Sequence, residues 1–177
     1  MDIANLERYL DSFGKYVVKQ ARTKLTKSKK NVSKALYNSI KFKVFSSSDR
    51  ISVKFYMADY GAFIDKGVSG NKKKQKYKNW EGKNVSSPFK YGSKQPPSSI
   101  LEKWISKRGI KGRDKKGRFI THKSLAFLIG RSIKLKGIKS TSFFQRPLQL
   151  GLENLGQDFL KALREDIIGG LTQVNKK

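Results

Sequence analysis

From Ile3 to about Lys27, apolar side chains return at every third or fourth position: Leu6, Leu10, Phe13, Val17, Ala21 and Leu25. A 3.6-residue period gathers such positions into one stripe, so the spacing predicts an amphipathic helix whose apolar face needs a covering surface. Ser33 to Ser39 suits a second, short helical piece. The period then falls to two. Ile40, Phe42 and Val44 alternate with Lys41 and Lys43, and beyond the polar turn at 46–50 the residues Ile51, Val53, Phe55 and Met57 alternate with Ser52, Lys54 and Tyr56. This pattern predicts a β-hairpin with one apolar face, which the first helix is placed to cover.

Ala58 to Gly70 mixes aromatic and small residues and reads as a helical turn ending in a sharp loop. No period survives from Asn71 to Pro97, so residues 70–97 are expected to form a long basic loop or arm. Ser98-Ser99 is read as the cap of a helix carrying Leu101, Trp104 and Ile105 and ending near Arg108-Gly109. Residues 110–121 suit a basic hairpin around Asp114-Lys115-Lys116-Gly117. A further helix starts at Thr121 or His122, with Leu125, Leu128, Ile129 and Ile133 on its packed side. After a short extended piece comes the last helix, where Leu148, Leu152, Leu155, Phe159, Leu163, Ile167 and Leu171 form a long apolar stripe. The expected fold is α+β: a hairpin or small antiparallel sheet packed against long N- and C-terminal amphipathic helices, in a single domain over 1–177.

Composition changes this picture in one respect. Forty Lys and Arg against 13 Asp and Glu give a formal net charge of +27 on 177 residues, with 37% apolar and 11% aromatic side chains. Residues 70–140 alone carry +18, from 21 basic and 3 acidic side chains. So large a surplus weakens a compact state by self-repulsion and attracts polyanions. The densest runs are Lys72, Lys73, Lys74, Lys76 and Lys78, then Lys111, Arg113, Lys115, Lys116 and Arg118. They are candidate contacts to a nucleic-acid backbone or an acidic protein face; a solubilising loop is the plainer alternative. Without a spacing suited to reading base edges, any such binding is expected to lack sequence preference. Tyr77, Trp80, Phe89 and Tyr91 interleave with the first run and serve either to stack on bases or to pack the loop against a neighbour. Phe143 and Phe144 form a second aromatic pair, read as exposed at a junction or as a staple for the last helix.

Enzymatic chemistry has little footing. There is no cysteine, and the one histidine, His122, has no carboxylate within four positions to orient it. Glu165-Asp166 is read as a surface ion network with Arg164 rather than a metal pair. No phosphate-binding glycine motif follows a strand. No catalytic residue, metal or cofactor is expected. No window is long and apolar enough to span a membrane, and the start lacks the build of a secretory signal, so an intracellular chain without membrane contact is expected.

Several short motifs stand in a telling order. Tyr60-Gly61-Ala62-Phe63-Ile64-Asp65-Lys66-Gly67-Val68-Ser69-Gly70 precedes a polar loop with Pro88-Phe89 and Pro96-Pro97. Ile100-Leu101, Trp104-Ile105 and Arg108-Gly109 follow, then Leu125 to Ile133, Gly137-Ile138-Lys139 and Phe143-Phe144. Across most of the chain this order resembles the tail-completion or neck proteins of tailed bacteriophages. The resemblance implies a structural virion protein, made in the host cytoplasm, that forms a homo-oligomeric ring between portal and tail. Its expected partners are portal, adaptor or tail proteins and double-stranded DNA in the channel. A ring of roughly six to twelve copies would gather well over a hundred positive charges, tolerable only beside phosphates or acidic neighbours. A sequence-nonspecific nucleic-acid-binding protein is the alternative; a structure-selective nuclease is a remoter one.

Overall fold

The computed structural model describes residues 3–30, 33–47 and 50–174, with side chains through residue 168. In chain order the elements are α1 (Ala4–Lys27), α2 (Ala35–Ser39), β1 (Lys41–Ser46), β2 (Ile51–Tyr56), α3 (Gly61–Lys66), β3 (Val68–Ser69), β4 (Lys76–Lys78) and β5 (Asn84–Ser86). Then follow α4 (Ser98–Arg108), α5 (His122–Lys136), β6 (Gly137–Ile138), α6 (Gln145–Glu153) and α7 (Gly156–Val174). The fold is α+β, its described strands paired as three separate two-stranded antiparallel sheets. The chain gathers into two compact units, one of residues 1–59, 79–82 and 143–177, the other of 60–78 and 83–142.

The first unit is built around α1. Leu6, Leu10, Val17, Val18, Ala21 and Leu25 are buried along one helical face, joined by Leu36 and Ile40. The hairpin β1/β2 pairs Phe42 with Phe55 and Val44 with Val53, which keeps its apolar side chains on a common face. That face meets α1 at close range: a Cβ at Gly14 would overlap the Phe42 ring, while Phe13 stands edge-on to Phe55. Glycine there lets a bulky ring approach the helix backbone. The predicted last helix is two helices, α6 and α7, separated at Asn154 and Leu155. Both pack on α1. The break splits the predicted stripe: Phe159 and Leu163 are half-buried, whereas Leu152 and Ile167 are exposed, as is Leu160 beside the stripe.

The second unit has a thin apolar core of Val68, Ile105 and Ala126, and leans on main-chain hydrogen bonds. α4 and α5 pack on one another through Leu101, Ile105, Ala126 and Gly130, small residues on α5 allowing a close approach. β3 pairs with β6 across about seventy residues, Val68 opposite Ile138. Residues 70–97 hold more than a loop. The hairpin β4/β5 lies within them, and the Ser69 N–H donates to Phe89 O while the Tyr91 N–H donates to Ser69 O. At the start of α4 no side chain caps the helix; the N-cap position falls to Pro97, leaving Ser98 and Ser99 inside the first turn. Thr121 caps α5, its hydroxyl oxygen accepting from the Ser124 N–H at 3.2 Å.

Candidate polyanion interface

The charge is concentrated in the second unit, where 22 basic side chains face 3 acidic ones, a net +19 on 79 residues. Its first basic run is anchored through its backbone. The N–H groups of Asn71 and Lys72 donate to the carbonyls of Lys134 and Leu135, each at 2.9 Å, and Gln75 Nε2 donates to Lys136 O at 2.8 Å. These are carbonyls at the C-terminus of α5, which the helix cannot satisfy itself. Lys72, Lys73 and Lys74 thus sit at the negative end of a helix dipole with exposed side chains. Lys76 and Lys78 project from β4 into solvent, while Tyr77 between them is half-buried opposite Val85.

The second run forms an ordered turn. Asp114 N–H donates to Arg118 O at 2.8 Å, and Gly117 N–H to Asp114 O at 3.0 Å, with Gly117 at φ +81°. The Asp114 carboxylate accepts from the N–H groups of Lys116 and Arg118 and from Arg118 Nε, all at 2.9 Å. The Arg118 N–H above all, then its guanidinium and the Lys116 N–H, hold the Asp114 carboxyl below its ordinary value. Arg113 lies 4.3 Å over the Phe119 ring, and Lys111 5.9 Å from it, although Phe119 is 62% exposed. One acid therefore shapes a turn that presents Lys111, Arg113, Lys115, Lys116 and Arg118 to solvent.

The aromatic candidates part company. Phe89 and Tyr91 flank the bridge between Ser69 and Lys90 and are half-buried. Phe89 stands edge-on to Phe63 with centroids 4.5 Å apart, and burial raises the Tyr91 hydroxyl above its usual value. Trp80, 50% exposed, is the one open ring of the four. Phe143 and Phe144, read either as an exposed pair or as a staple for the last helix, are fully and nine-tenths buried, which removes the exposed reading; Phe144 packs edge-on against Phe55 in the first unit. Phe144 lies inside because Phe55, on the apolar face of the hairpin, covers it at the start of α6. Asp166 likewise leaves the predicted surface network: it is 5% exposed and accepts from the α1 backbone.

The second unit has exposed apolar groups that the periodicity does not give. Leu128, placed by its spacing on the packed side of α5, is 53% exposed, and Phe127 50%. Ala126 and Gly130 take the contact line instead, which turns the two large neighbours outward. On α4, Ile100 and Trp104 are exposed, with Arg108 5.9 Å over the Trp104 ring. His122 is exposed at the first turn of α5, its Nδ1 3.2 Å from Ser106 Oγ. Among the described residues, no group of three or more His, Cys, Asp or Glu is placed to hold a metal ion, and no helix is long and apolar enough to cross a membrane. No family model, no curated protein and no solved structure matches the chain.

Proposed function

We propose that this chain is a non-enzymatic structural protein of a tailed-phage virion, forming a homo-oligomeric ring in the neck between portal and tail. The reading rests on the resemblance of its ordered motifs to tail-completion proteins. The observation that carries it is the +19 borne by one compact unit with three acidic side chains and a thin core. Such a body repels itself and gains from a counter-charged surface, whether genome phosphates or an acidic neighbouring ring. The ordered Asp114 turn and the lysines at the end of α5 are the proposed contacts. Leu160 and Ile167 on α7 offer apolar area for subunit contact.

Negative-stain imaging of the protein alone and with a portal tests the assembly. Rings, or density added below the portal, are the expected result; a monomer at high concentration that joins no connector defeats the reading. A second reading, a sequence-nonspecific nucleic-acid binder, draws on the Arg113–Phe119 pair beside four further cations. Affinity for duplex DNA measured against salt separates the two. A dedicated binder loses affinity steeply as a monomer or dimer, whereas a connector binds weakly until assembled. Cleavage of DNA on addition of Mg²⁺ or Mn²⁺ would replace both with a nuclease.

A further inference from the structure

A free strand edge in the first unit has a shape and charge that neither reading uses. Ser47 N–H donates to Arg50 O at 2.9 Å, so these two form a hydrogen-bonded pair. In the observed register the antiparallel alternation makes 45/52, 43/54 and 41/56 bonded pairs as well. The main-chain N–H and C=O of Phe42 and Val44 therefore point away from β2, and none finds a partner among the described residues.

Beside this edge runs a trough walled by α1, which lies mainly over β1. One lobe, about 770 Å³, is floored by Val18, Ile40 and Phe42; the other, about 580 Å³, includes Phe42 and Val44. No described β2 residue lines either lobe. The larger lobe is lined by Lys15, Lys19, Arg22 and Lys41 and by no acidic residue, although Lys15 is paired with Asp11 at 2.6 Å. Arg22 is fixed there, donating to Tyr37 O at 3.1 Å and to Ile40 O at 2.9 Å, while the Lys19 and Lys41 ammonium groups have no partner among the described residues. The smaller lobe mixes Glu7 and Asp11 with Arg8 and Lys43.

We propose that β1 accepts an added strand at this edge: an extended segment of a partner polypeptide, with acidic side chains at the end that lies beside Lys19, Arg22 and Lys41. The main chain makes the choice of partner. Phe42 and Val44 present donors and acceptors in alternation, which an extended peptide matches in full and a phosphate backbone, offering acceptors alone, does not. The apolar floor suits the alternate side chains of such a strand. Antiparallel pairing of Phe42 with Phe42 or Val44 of a second copy would set Lys43 opposite Lys41 or Lys43, like charge against like charge, so the occupant is a different, acidic chain. This inference does not depend on the phage reading.

The probe is a synthetic peptide of alternating Val and Thr ending in Asp-Glu-Asp, with a counterpart ending in Lys-Lys-Lys, followed by fluorescence anisotropy and by amide hydrogen exchange at Phe42 and Val44. The acidic peptide is expected to bind and to slow exchange at both amides, and Lys15→Glu/Lys19→Glu to weaken it about tenfold. Val44→Pro removes an outward N–H that the ladder does not use and is expected to abolish binding. Should that variant misfold, the charge reversal on α1 still decides. Peptide binding that leaves the two amides unprotected overturns the proposal, as does equal binding of the Lys-ended peptide. Equal protection by a DNA oligonucleotide would make the trough a polyanion groove, and concentration-dependent protection in the free protein would give the edge to a second copy; either result defeats it.

Discussion

Asp166 keeps its charge in a buried place because the first turn of α1 supplies the hydrogen bonds that water would otherwise give. Its oxygens accept from Asn5 N–H at 3.2 Å, Asn5 Nδ2 at 2.8 Å and Leu6 N–H at 2.9 Å. These are the N–H groups a capping side chain normally serves as acceptor, yet the N-cap residue is Ile3, whose side chain has no acceptor. Burial opposes the charge, but the hydrogen bonds from Leu6 and Asn5, with the positive charge of Arg8, outweigh it and hold the carboxyl below its ordinary 3.8. A depressed folded value contributes stability that is fully present above the unfolded one and is lost as pH falls through the folded one. Acid titration followed by circular dichroism should therefore show a loss below the usual carboxylate range that Asp166→Asn flattens. At neutral pH, Asp166→Ala should cost about 1–3 kcal/mol in denaturant unfolding. At Gly14 the sign is set by space. Alanine favours the helix by about 1 kcal/mol, but the Phe42 ring must move, so Gly14→Ala should lower the melting temperature by an amount worth about 1–2 kcal/mol.

Among the elements, α7 has its apolar residues on more than one face. Phe159 meets Tyr9 edge-on at 6.0 Å and is half-buried, so Phe159→Ala should cost about 1–2 kcal/mol, less than the 3–5 of a fully buried ring. Leu160→Ser and Ile167→Ser should leave the isolated protein within about 0.5 kcal/mol, since both side chains are exposed. Analytical ultracentrifugation of the same pair checks the proposed subunit contact: if assembly is undiminished, α7 has no part in it. Periodicity is a sound guide to α1 and the β1/β2 hairpin, whose buried faces repeat locally; it locates α4 and α5 as helices but not the packed face of α5, where Ala126 and Gly130 are buried and Leu128 is exposed. It missed the break between α6 and α7, where neither proline nor glycine occupies 154 or 155. It reads an extended piece after Gly137 but does not give the pairing of β3 with β6, two residues each and about seventy positions apart. A two-residue strand has no period to read.

For the whole molecule, the surplus charge is divided by unit, and its effects should divide likewise. Replacing Lys72, Lys73, Lys74, Lys76 and Lys78 by Ser removes exposed cations while leaving the Asn71 and Lys72 amides on the α5 carbonyls. Helix content should be unchanged, and the salt dependence of polyanion binding should become shallower. A large loss of helix would show those side chains to be structural. Inorganic polyphosphate should raise the thermal midpoint of the wild-type protein, and added salt should cancel the gain, because binding to the folded state alone stabilises it by mass action. Composition by itself dictated the polyanion affinity proposed here, and local spacing dictated the amphipathic helices, the hairpin and the Asp114 turn, since each needs only neighbours in the chain. Which aromatics stay at the surface, which carboxylate caps α1 and which strand edge lies open were decided in three dimensions. Those outcomes depend on surfaces and donors contributed from far along the chain, as Asp166 does for Leu6, and no local pattern records them.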